Sequence, residues 1–325
     1  LFHFCLINLI FVLNNRPINS SRFFDTMYIE KRSGFMSRSY NRSKESLGNI
    51  LHMEHVNLMI PDQAPAILFY VTGLGFTRDP FLMTGLDNMW INIGRSQIHL
   101  PRRDPSPQIL RGRIGLVSPN LKATFQSLKM IKEPLSKTKF SFSRKKEFID
   151  VSCPWGNQIR VHAPDETFGN VEIGLPYVEF FVPKNSAGKI VNFYREILGA
   201  KASIGKRHGK TCAMVTTGTS QYVYFIETNE KQAKYDGHHI AIYIADFAVP
   251  YQKLLERGLI SRESDQHEWR FIDIVDLDNN KPIFKIEHEV RSATHPLFGR
   301  PLVNRNPHQS NRLYKRGQDN FQGQI

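Results

Sequence analysis

The stretch that decides the fold is YVEFFVPKNSAGKIVNFYREILGA, at residues 177–200. Its first six residues alternate between two faces, which is typical of a strand, and a polar turn follows them. Ile190, Phe193 and Ile197 then recur at the spacing of one helix face. The stretch therefore predicts one strand followed by one short helix.

The same unit occurs earlier in the chain, as HVNLMIPDQAPAILFYVTGLGF at residues 55–76. Both copies contain FYxxxLG, beginning at Phe69 and at Phe193, which gives a repeat offset of 124 residues. Two further units begin at Arg113 and His239, and their matching positions lie 126 or 127 residues apart. Self-similarity at a fixed spacing indicates repeated structural modules.

One such module leaves a face of its small sheet uncovered, whereas two modules side by side can curl into a half-barrel with a concave pocket. We therefore predict an α+β fold of four βαβββ-type modules, paired in chain order into two open half-barrel sheets. The first domain would span residues 51–165 and the second residues 174–292. Residues 1–50 would be a disordered or non-native leader, and residues 293–325 an extended arm with a disordered tail.

The chain has 325 residues and a formal charge of +13. Residues 1–50 contain seven Lys or Arg against three acidic residues, and residues 292–325 contain five against one. A basic excess in the ends is more typical of solvated termini than of a nucleic-acid surface. The cysteines, Cys5, Cys153 and Cys212, lie far apart, which argues against a disulfide framework and favours a reducing compartment.

The first thirteen residues, LFHFCLINLIFVL, are apolar but shorter than a membrane span. They also lack the basic leader of a signal peptide. We therefore expect a cytoplasmic protein with no membrane or nucleic-acid partner. The alternative is an organelle, reached through the Arg- and Ser-rich segment that begins at Met36, with Met27 or Met36 as the true start.

Several motifs together resemble the vicinal oxygen chelate (VOC) superfamily, which holds glyoxalase I, bleomycin resistance proteins and extradiol dioxygenases. They are the fourfold repeat, HVNLMI, FYxxxLG, GHHIAIYIAD at residues 237–246, and the strand endings WGNQIRVH and NNKPIFKIEHE. The resemblance covers residues 52–292 and implies two tandem VOC domains that bind a small-molecule substrate. Members with chemistry usually hold one divalent metal on inward-facing His, Gln and Glu side chains. Iron, manganese, zinc or nickel would be the cofactor here.

Carried over position by position, the resemblance implies a pocket between the first two modules. His55 and His99 would be metal ligands there, since the first and last strands of one module bring them together. Arg113 and Arg160 stand at the other two inward positions. Because two guanidiniums disfavour a cation, these arginines would instead bind an anion or the carboxylate of a substrate.

The pocket between the last two modules offers His239 and Glu287 as metal ligands. Tyr177 and Tyr224 are candidate catalytic residues in the same pocket, able to bind a ligand oxygen. One histidine and one carboxylate leave a two-histidine, one-carboxylate iron site incomplete unless His238 contributes. The alternative for all of these residues is a structural role, as core tyrosines or a surface ladder of charges.

The sequence thus predicts a glyoxalase- or dioxygenase-like metalloenzyme that acts on a small molecule with two neighbouring oxygens. The reaction would be a dioxygenation or that of a lyase or isomerase. The alternative is a non-catalytic protein that binds a small molecule or an anion and whose metal sites have degenerated. The sequence leaves open whether the protein is a homodimer.

Overall fold

The computed structural model describes residues 40–82, 87–103, 106–306, 309–316 and 320–321. The chain divides into two units, residues 1–46 and residues 47–325. In the first unit the described residues form a short 3-10 helix, Arg42–Glu45, and the Arg42 guanidinium lies 4.4 Å from the centre of the Tyr40 ring. Most of the predicted leader lies outside the described residues.

The second unit contains four modules, each with a strand, a helix and three further strands. The elements of the first module are β1 (Ile50–Asn57), α1 (Gln63–Ala66, continued by a π-helix over Ile67–Gly73), β2 (Thr77–Arg78), β3 (Asn88–Ile93) and β4 (Ser96–Pro101). Those of the second are β5 (Gly112–Val117), α2 (Leu121–Met130), β6 (Ser141–Arg144), β7 (Phe148–Ser152) and β8 (Gln158–His162). The predicted α+β fold of βαβββ modules is confirmed.

The third module contains the strand and helix predicted for residues 177–200. Its elements are β9 (Gly174–Pro183), α3 (Ala187–Glu196), β10 (Ala202–Arg207), β11 (Lys210–Gly218) and β12 (Gln221–Thr228). The elements of the fourth module are β13 (His239–Ile244), α4 (Ala248–Glu256), β14 (Ile260–Asp265), β15 (Glu268–Val275) and β16 (Pro282–Ser292). Outside the modules lie a 3-10 helix (Glu166–Phe168) and the pair β17 (Asn304–Arg305) and β18 (Asn320–Phe321).

The helices begin where polar side chains accept hydrogen bonds from free backbone N–H groups. Asp62 accepts from the N–H of Ala64 at 2.9 Å before α1, and Asn120 accepts from the N–H of Ala123 at 3.0 Å before α2. Both α2 and α3 have ten residues. In the described parts of the chain, no helix has the length and apolar character that a membrane crossing needs. The cellular compartment stays a prediction.

The sheet pairs the first module with the fourth, and the second with the third. β1 runs antiparallel to β13, with His55 opposite Ala241, and β5 runs antiparallel to β9, with Arg113 opposite Glu179. One half-barrel therefore has the order β2-β3-β4-β1-β13-β16-β15-β14, and we call it cup A. The other has the order β10-β11-β12-β9-β5-β8-β7-β6, and we call it cup B.

This pairing differs from the chain-order pairing expected for residues 51–165 and 174–292. Within each module the opening strand is bonded on one side to the last strand, so its other edge is free for a partner. The opening strands have similar apolar patterns, so their local sequence does not specify which edge meets which. Packing between distant parts of the chain decides it. At β5 the approach is so close that a Cβ atom on Gly112 would lie 1.7 Å from the carbonyl oxygen of Glu179.

Residues 293–306 form an arm that runs from β16 of the fourth module to the first module. Arg300 Nη2 lies 2.8 Å from a carboxylate oxygen of Asp79, whose side chain is fully buried. The Asn304 side chain bonds both backbone groups of Gly94, at 2.9 and 2.8 Å. The arm thus ties together the two modules that form cup A.

Candidate functional site

Three buried side chains from three adjacent strands meet in cup A. His55 on β1, His239 on β13 and Glu289 on β16 each offer one ligand atom, and these atoms all lie within 4.8 Å of one another. The strands are adjacent because β13 pairs with β1 on one side and with β16 on the other. Two imidazole nitrogens and one carboxylate oxygen are a donor set that suits first-row transition metals.

A β-bulge in β1 brings Glu54 to the same network as His55. Met53 pairs with Ile242 and His55 pairs with Ala241, so β1 has one extra residue, Glu54, at this point. The strict alternation of side chains between the two faces is therefore broken at Glu54. His55 Nδ1 donates a hydrogen bond to Glu54 Oε2 at 2.7 Å. The other ring nitrogen, Nε2, is buried and has no hydrogen-bond partner among the described residues. This arrangement is the one by which carboxylates orient metal-ligating histidines.

His239 lies between two carboxylates of β16. Its Nδ1 is 3.3 Å from Glu287 Oε2, and its Nε2 is 3.2 Å from Glu289 Oε2. Burial lowers the pKa of His239 below its ordinary value. The ring is therefore neutral at neutral pH and keeps the lone pair that a metal ion needs.

Two arginines, Arg270 and Arg291, hold four glutamates in one buried network. Arg270 Nη2 lies 2.5 Å from Glu289 Oε2, and Arg291 Nη1 lies 2.7 Å from Glu54 Oε2. The four glutamates are Glu54, Glu268, Glu287 and Glu289. Four carboxylates against two guanidiniums give the network a formal charge of −2 when the histidines are neutral. One divalent cation would balance this charge.

The ionisation of Glu289 is consistent with that network. Burial by itself would raise the pKa of Glu289, but His239, His55 and Arg291 hold it well below its ordinary value. The carboxylate is therefore charged over the whole physiological range. Glu289 is thus in the deprotonated state that metal binding requires.

His99 lines the same cup beside this group. Its ring stacks on Trp90 at 3.7 Å and 8°, and its Nε2 lies 2.5 Å from Asn88 Oδ1. The ring centres of His99 and His55 are 5.6 Å apart. Burial lowers the pKa of His99 to about 2, so the imidazole is neutral. His99 is thus a neutral wall residue within reach of anything bound at His55.

The structure regroups the candidates that the sequence indicated. Those expected in two separate pockets share cup A: His55, His99, His239 and Glu287. Glu289, two residues beyond Glu287 on the same face of β16, was not among the candidates because alternation alone admits either residue. His238 is not part of the group of three ligands. Its ring is fully buried, and its Nδ1 lies 2.5 Å from a carboxylate oxygen of Asp236. The second imidazole of the group comes instead from His55. Coordination of a metal by any of these residues stays a prediction.

The other four candidates lie in cup B: Arg113, Arg160, Tyr177 and Tyr224. At their centre is Glu179, a fully buried residue that lies 2.5 Å from Arg207 Nε and 3.8 Å from Arg113 Nη1. With the repeat offsets of 124 and 126 residues, Glu179 and Arg113 stand at the places of His55 and His239. A glutamate and an arginine thus occupy the positions that hold histidines in cup A. The repeat offset could have identified Glu179 from the sequence.

The two tyrosines of cup B are neutral phenols. Tyr177 Oη forms a hydrogen bond of 2.8 Å with His162 Nε2. Burial raises the pKa of Tyr177, and it raises the pKa of Tyr224 to about 12. Neither phenol is ionised at neutral pH, and both lie in the cup that does not contain the group of three ligands. Their predicted catalytic role has no support from this placement.

Solved structures of the same fold include glyoxalase I from Zea mays. The similarity has a TM-score of 0.53 at 14% sequence identity and covers 75% of this chain and 92% of that chain. A candidate dioxygenase from Bacillus subtilis is similar with a TM-score of 0.52 at 12% identity, over 76% of this chain and 86% of that chain. No protein-family model and no curated protein matches the sequence. The chain has the fold of the VOC superfamily, as its motifs indicated.

Proposed function

We propose that the protein is a metal-dependent enzyme of the glyoxalase and dioxygenase type that acts on a small molecule with two neighbouring oxygens. The observation that supports this most strongly is the meeting of His55, His239 and Glu289, with His55 Nε2 buried and unpartnered among the described residues. The formal charge of −2 around these ligands supports a divalent ion. The VOC fold supplies the open cup that a substrate would enter.

The donor set suits iron, manganese, zinc or nickel. Two histidines and one carboxylate with open coordination positions form the ligand set of non-haem iron oxygenases, so iron is the first metal to test. When bound, such an ion acts as a Lewis acid that holds two substrate oxygens side by side. All other contributions come from the side chains of the cup.

These side chains would prepare the ligands and handle protons. Glu54 keeps the proton on His55 Nδ1 and leaves Nε2 free, and Arg291 holds Glu54 in place. Glu287 is a candidate proton acceptor because its side chain is 20% exposed, against 3% for that of Glu289. Glu287 is therefore the more accessible of these two carboxylates to solvent and to a substrate. His99 and Trp90 would pack against one side of the substrate.

A non-catalytic binding protein is the second candidate function, and one contact favours it. Both carboxylate oxygens of Glu289 contact arginines, namely Arg270 at Oε2 and Arg291 at Oε1. Guanidiniums at these places could neutralise the carboxylate without a metal. A carboxylate has about four lone-pair sites, however, so a metal and two guanidiniums can share it.

Metal analysis of the purified protein distinguishes the two functions. Protein purified without chelators and dialysed against iron(II) should hold about one equivalent per chain, because the three ligand side chains are buried and lie within reach of one ion. The content should fall to below about a tenth of an equivalent in His55→Ala, His239→Ala and Glu289→Gln. His208→Ala, which removes a histidine of cup B, is the matched control and should keep full occupancy.

Metal-loaded protein is then tested on small molecules with two neighbouring oxygens, with oxygen uptake and product absorbance as readouts. Turnover that is lost together with the metal in His239→Ala would support the enzyme. A wild-type protein that takes up less than about a tenth of an equivalent from any of the four metals would contradict it and leave the binding protein.

A further inference from the structure

Cup B carries more positive than negative charge. Three guanidiniums, from Arg113, Arg160 and Arg207, face the two carboxylates of Asp150 and Glu179. Asp150 binds Arg160 through two hydrogen bonds, of 2.7 and 3.0 Å, and Glu179 lies 2.5 Å from Arg207 Nε. These two pairs are neutral, so the charge of Arg113 remains.

The side chain of Arg113 makes no hydrogen bond to another of the described residues. Its nearest ion-pair contact joins Nη1 to Glu179 Oε2 at 3.8 Å, and its side chain is 24% exposed. An arginine guanidinium has five N–H donors, which match a carboxylate in a two-pronged geometry. Arg113 is thus a partly accessible cation with its donors unused, and Glu179 beside it is already neutralised by Arg207.

The walls of cup B are aromatic. The Arg207 guanidinium lies 4.3 Å from the ring centre of Tyr177 and 4.0 Å from that of Tyr224. Tyr222 and Tyr224 stack at 5.8 Å and 29°, and both are partly exposed. These two rings form an aromatic face on β12.

Strand register brings this face opposite Arg113. Tyr224 pairs with Glu179 across β12 and β9, and Glu179 pairs with Arg113 across β9 and β5. Two strand spacings therefore separate Tyr224 from Arg113, which is roughly 10 Å between backbones. In the next row, Gly115 has no side chain, and the Tyr177 ring occupies that place, 2.3 Å from where a Cβ would lie.

The lowered pKa of His162 is consistent with the same positive surroundings. This ring bonds Tyr177 Oη, and burial together with Arg160 and Arg207 lowers its pKa to about 4, against the opposing effect of Glu179 and Asp150. The imidazole therefore adds no positive charge of its own at neutral pH. The charged groups that act on this ring are Arg160 and Arg207, with Glu179 and Asp150 opposing them.

We propose that cup B is a binding site for a small aromatic carboxylate. The carboxylate would pair with the guanidinium of Arg113, and the ring would lie on Tyr222 and Tyr224. The site is separate from the ligand group in cup A, so it does not depend on the proposed metal. The positions in cup A that correspond to Glu179 and Arg113 hold histidines, so cup A has no guanidinium at the place of Arg113.

Calorimetric titration with benzoate tests this site on the full chain. Wild-type protein should bind one benzoate per chain, and Arg113→Met should weaken binding about tenfold or more, because a hydrogen-bonded charge partner is lost. Arg262→Met is the matched control, since it removes the same charge from an exposed position on β14. Arg262→Met and His55→Ala should bind benzoate as the wild type does.

Two further measurements complete the test. Arg113→Lys retains the charge but not the planar fork, so its affinity should fall between those of wild type and Arg113→Met, and thermal melting confirms that each variant is folded. Inorganic phosphate should bind more weakly than benzoate because it lacks a ring. The absence of saturable benzoate binding, undiminished binding by Arg113→Met, or equal binding of phosphate would overturn the proposal. Loss of binding in His55→Ala alone would place benzoate in cup A and would also overturn it.

Discussion

At the scale of single residues, His288 shows how burial in the core changes the pKa of a titratable side chain. The residue is fully buried on β16, between Glu287 and Glu289, and alternation turns it away from cup A. Its Nδ1 donates to the carbonyl oxygen of Ile286 at 2.9 Å, and its Nε2 accepts from Tyr194 Oη at 2.6 Å. Burial lowers the pKa of His288 to about 3. The ring is therefore held neutral.

This burial makes stability depend on pH in a defined direction. The unfolded chain takes up a proton on His288 below its ordinary value of 6.5, whereas the folded chain does not until about pH 3. The contribution is therefore complete above pH 6.5 and is lost as the pH falls, by up to about 1.4 kcal/mol per pH unit. His288→Gln should be less stable at pH 7.5 but should lose less stability between pH 7.5 and pH 5.5.

Urea unfolding at these two pH values measures the difference. The matched control is Gln252→Ala, which changes an exposed side chain of α4 that does not titrate, and it should retain the pH dependence of the wild type. An unchanged pH dependence in His288→Gln would contradict the argument for a buried neutral ring.

At the scale of elements, the register of each strand determines which residues reach a cup. The alternation in residues 177–200 predicts the strand and helix there, and both are present. The same reasoning fails at β1, where the bulge puts consecutive residues into one network. Glu54 was missed for this reason, because strict alternation places its side chain on the other face of β1 from that of His55. A bulge depends on the partner strand, which a single sequence does not contain.

The bulge predicts a specific role for Glu54. Glu54→Gln keeps the shape of the side chain and an oxygen acceptor, but it removes the charge that fixes the proton on His55 Nδ1. We expect metal affinity to fall about tenfold or more, because groups of this kind typically contribute 10–100-fold. Competition titration with a fluorescent chelator measures the affinity.

The control for that experiment is Glu263→Gln, which removes the same charge from an exposed position on β14. Its metal affinity should equal that of the wild type. Equal affinities for Glu54→Gln and the wild type would show that Glu54 does not prepare His55 for a ligand role.

At the scale of the whole molecule, the pairing of distant modules decides which residues meet. The four modules could be predicted from the repeat and its register, whereas the roles of the eight candidate side chains stay predictions. The distribution of these side chains into pockets could not be predicted, because the free edges of the opening strands do not identify their partners. Pairing of the first module with the fourth gathers the histidines in cup A, and pairing of the second with the third gathers the arginines in cup B.

The two cups consequently have opposite chemistry. Cup A has two buried histidines and a carboxylate within an excess of negative charge. Cup B has a guanidinium and a carboxylate at the equivalent places, within an excess of positive charge. Four modules of similar structure thus form one cup whose charge would suit a cation and one whose charge would suit an anion.

The most direct test of this account is anomalous scattering from crystals of the iron- or zinc-loaded protein, recorded at the absorption edge of the metal. The account predicts one strong peak per chain in cup A, about 2.0–2.2 Å from a nitrogen of His55, a nitrogen of His239 and an oxygen of Glu289. The absence of a peak at saturating metal would contradict the account, and so would a peak in cup B. A peak whose ligands all come from modules that are consecutive in the chain would contradict it as well.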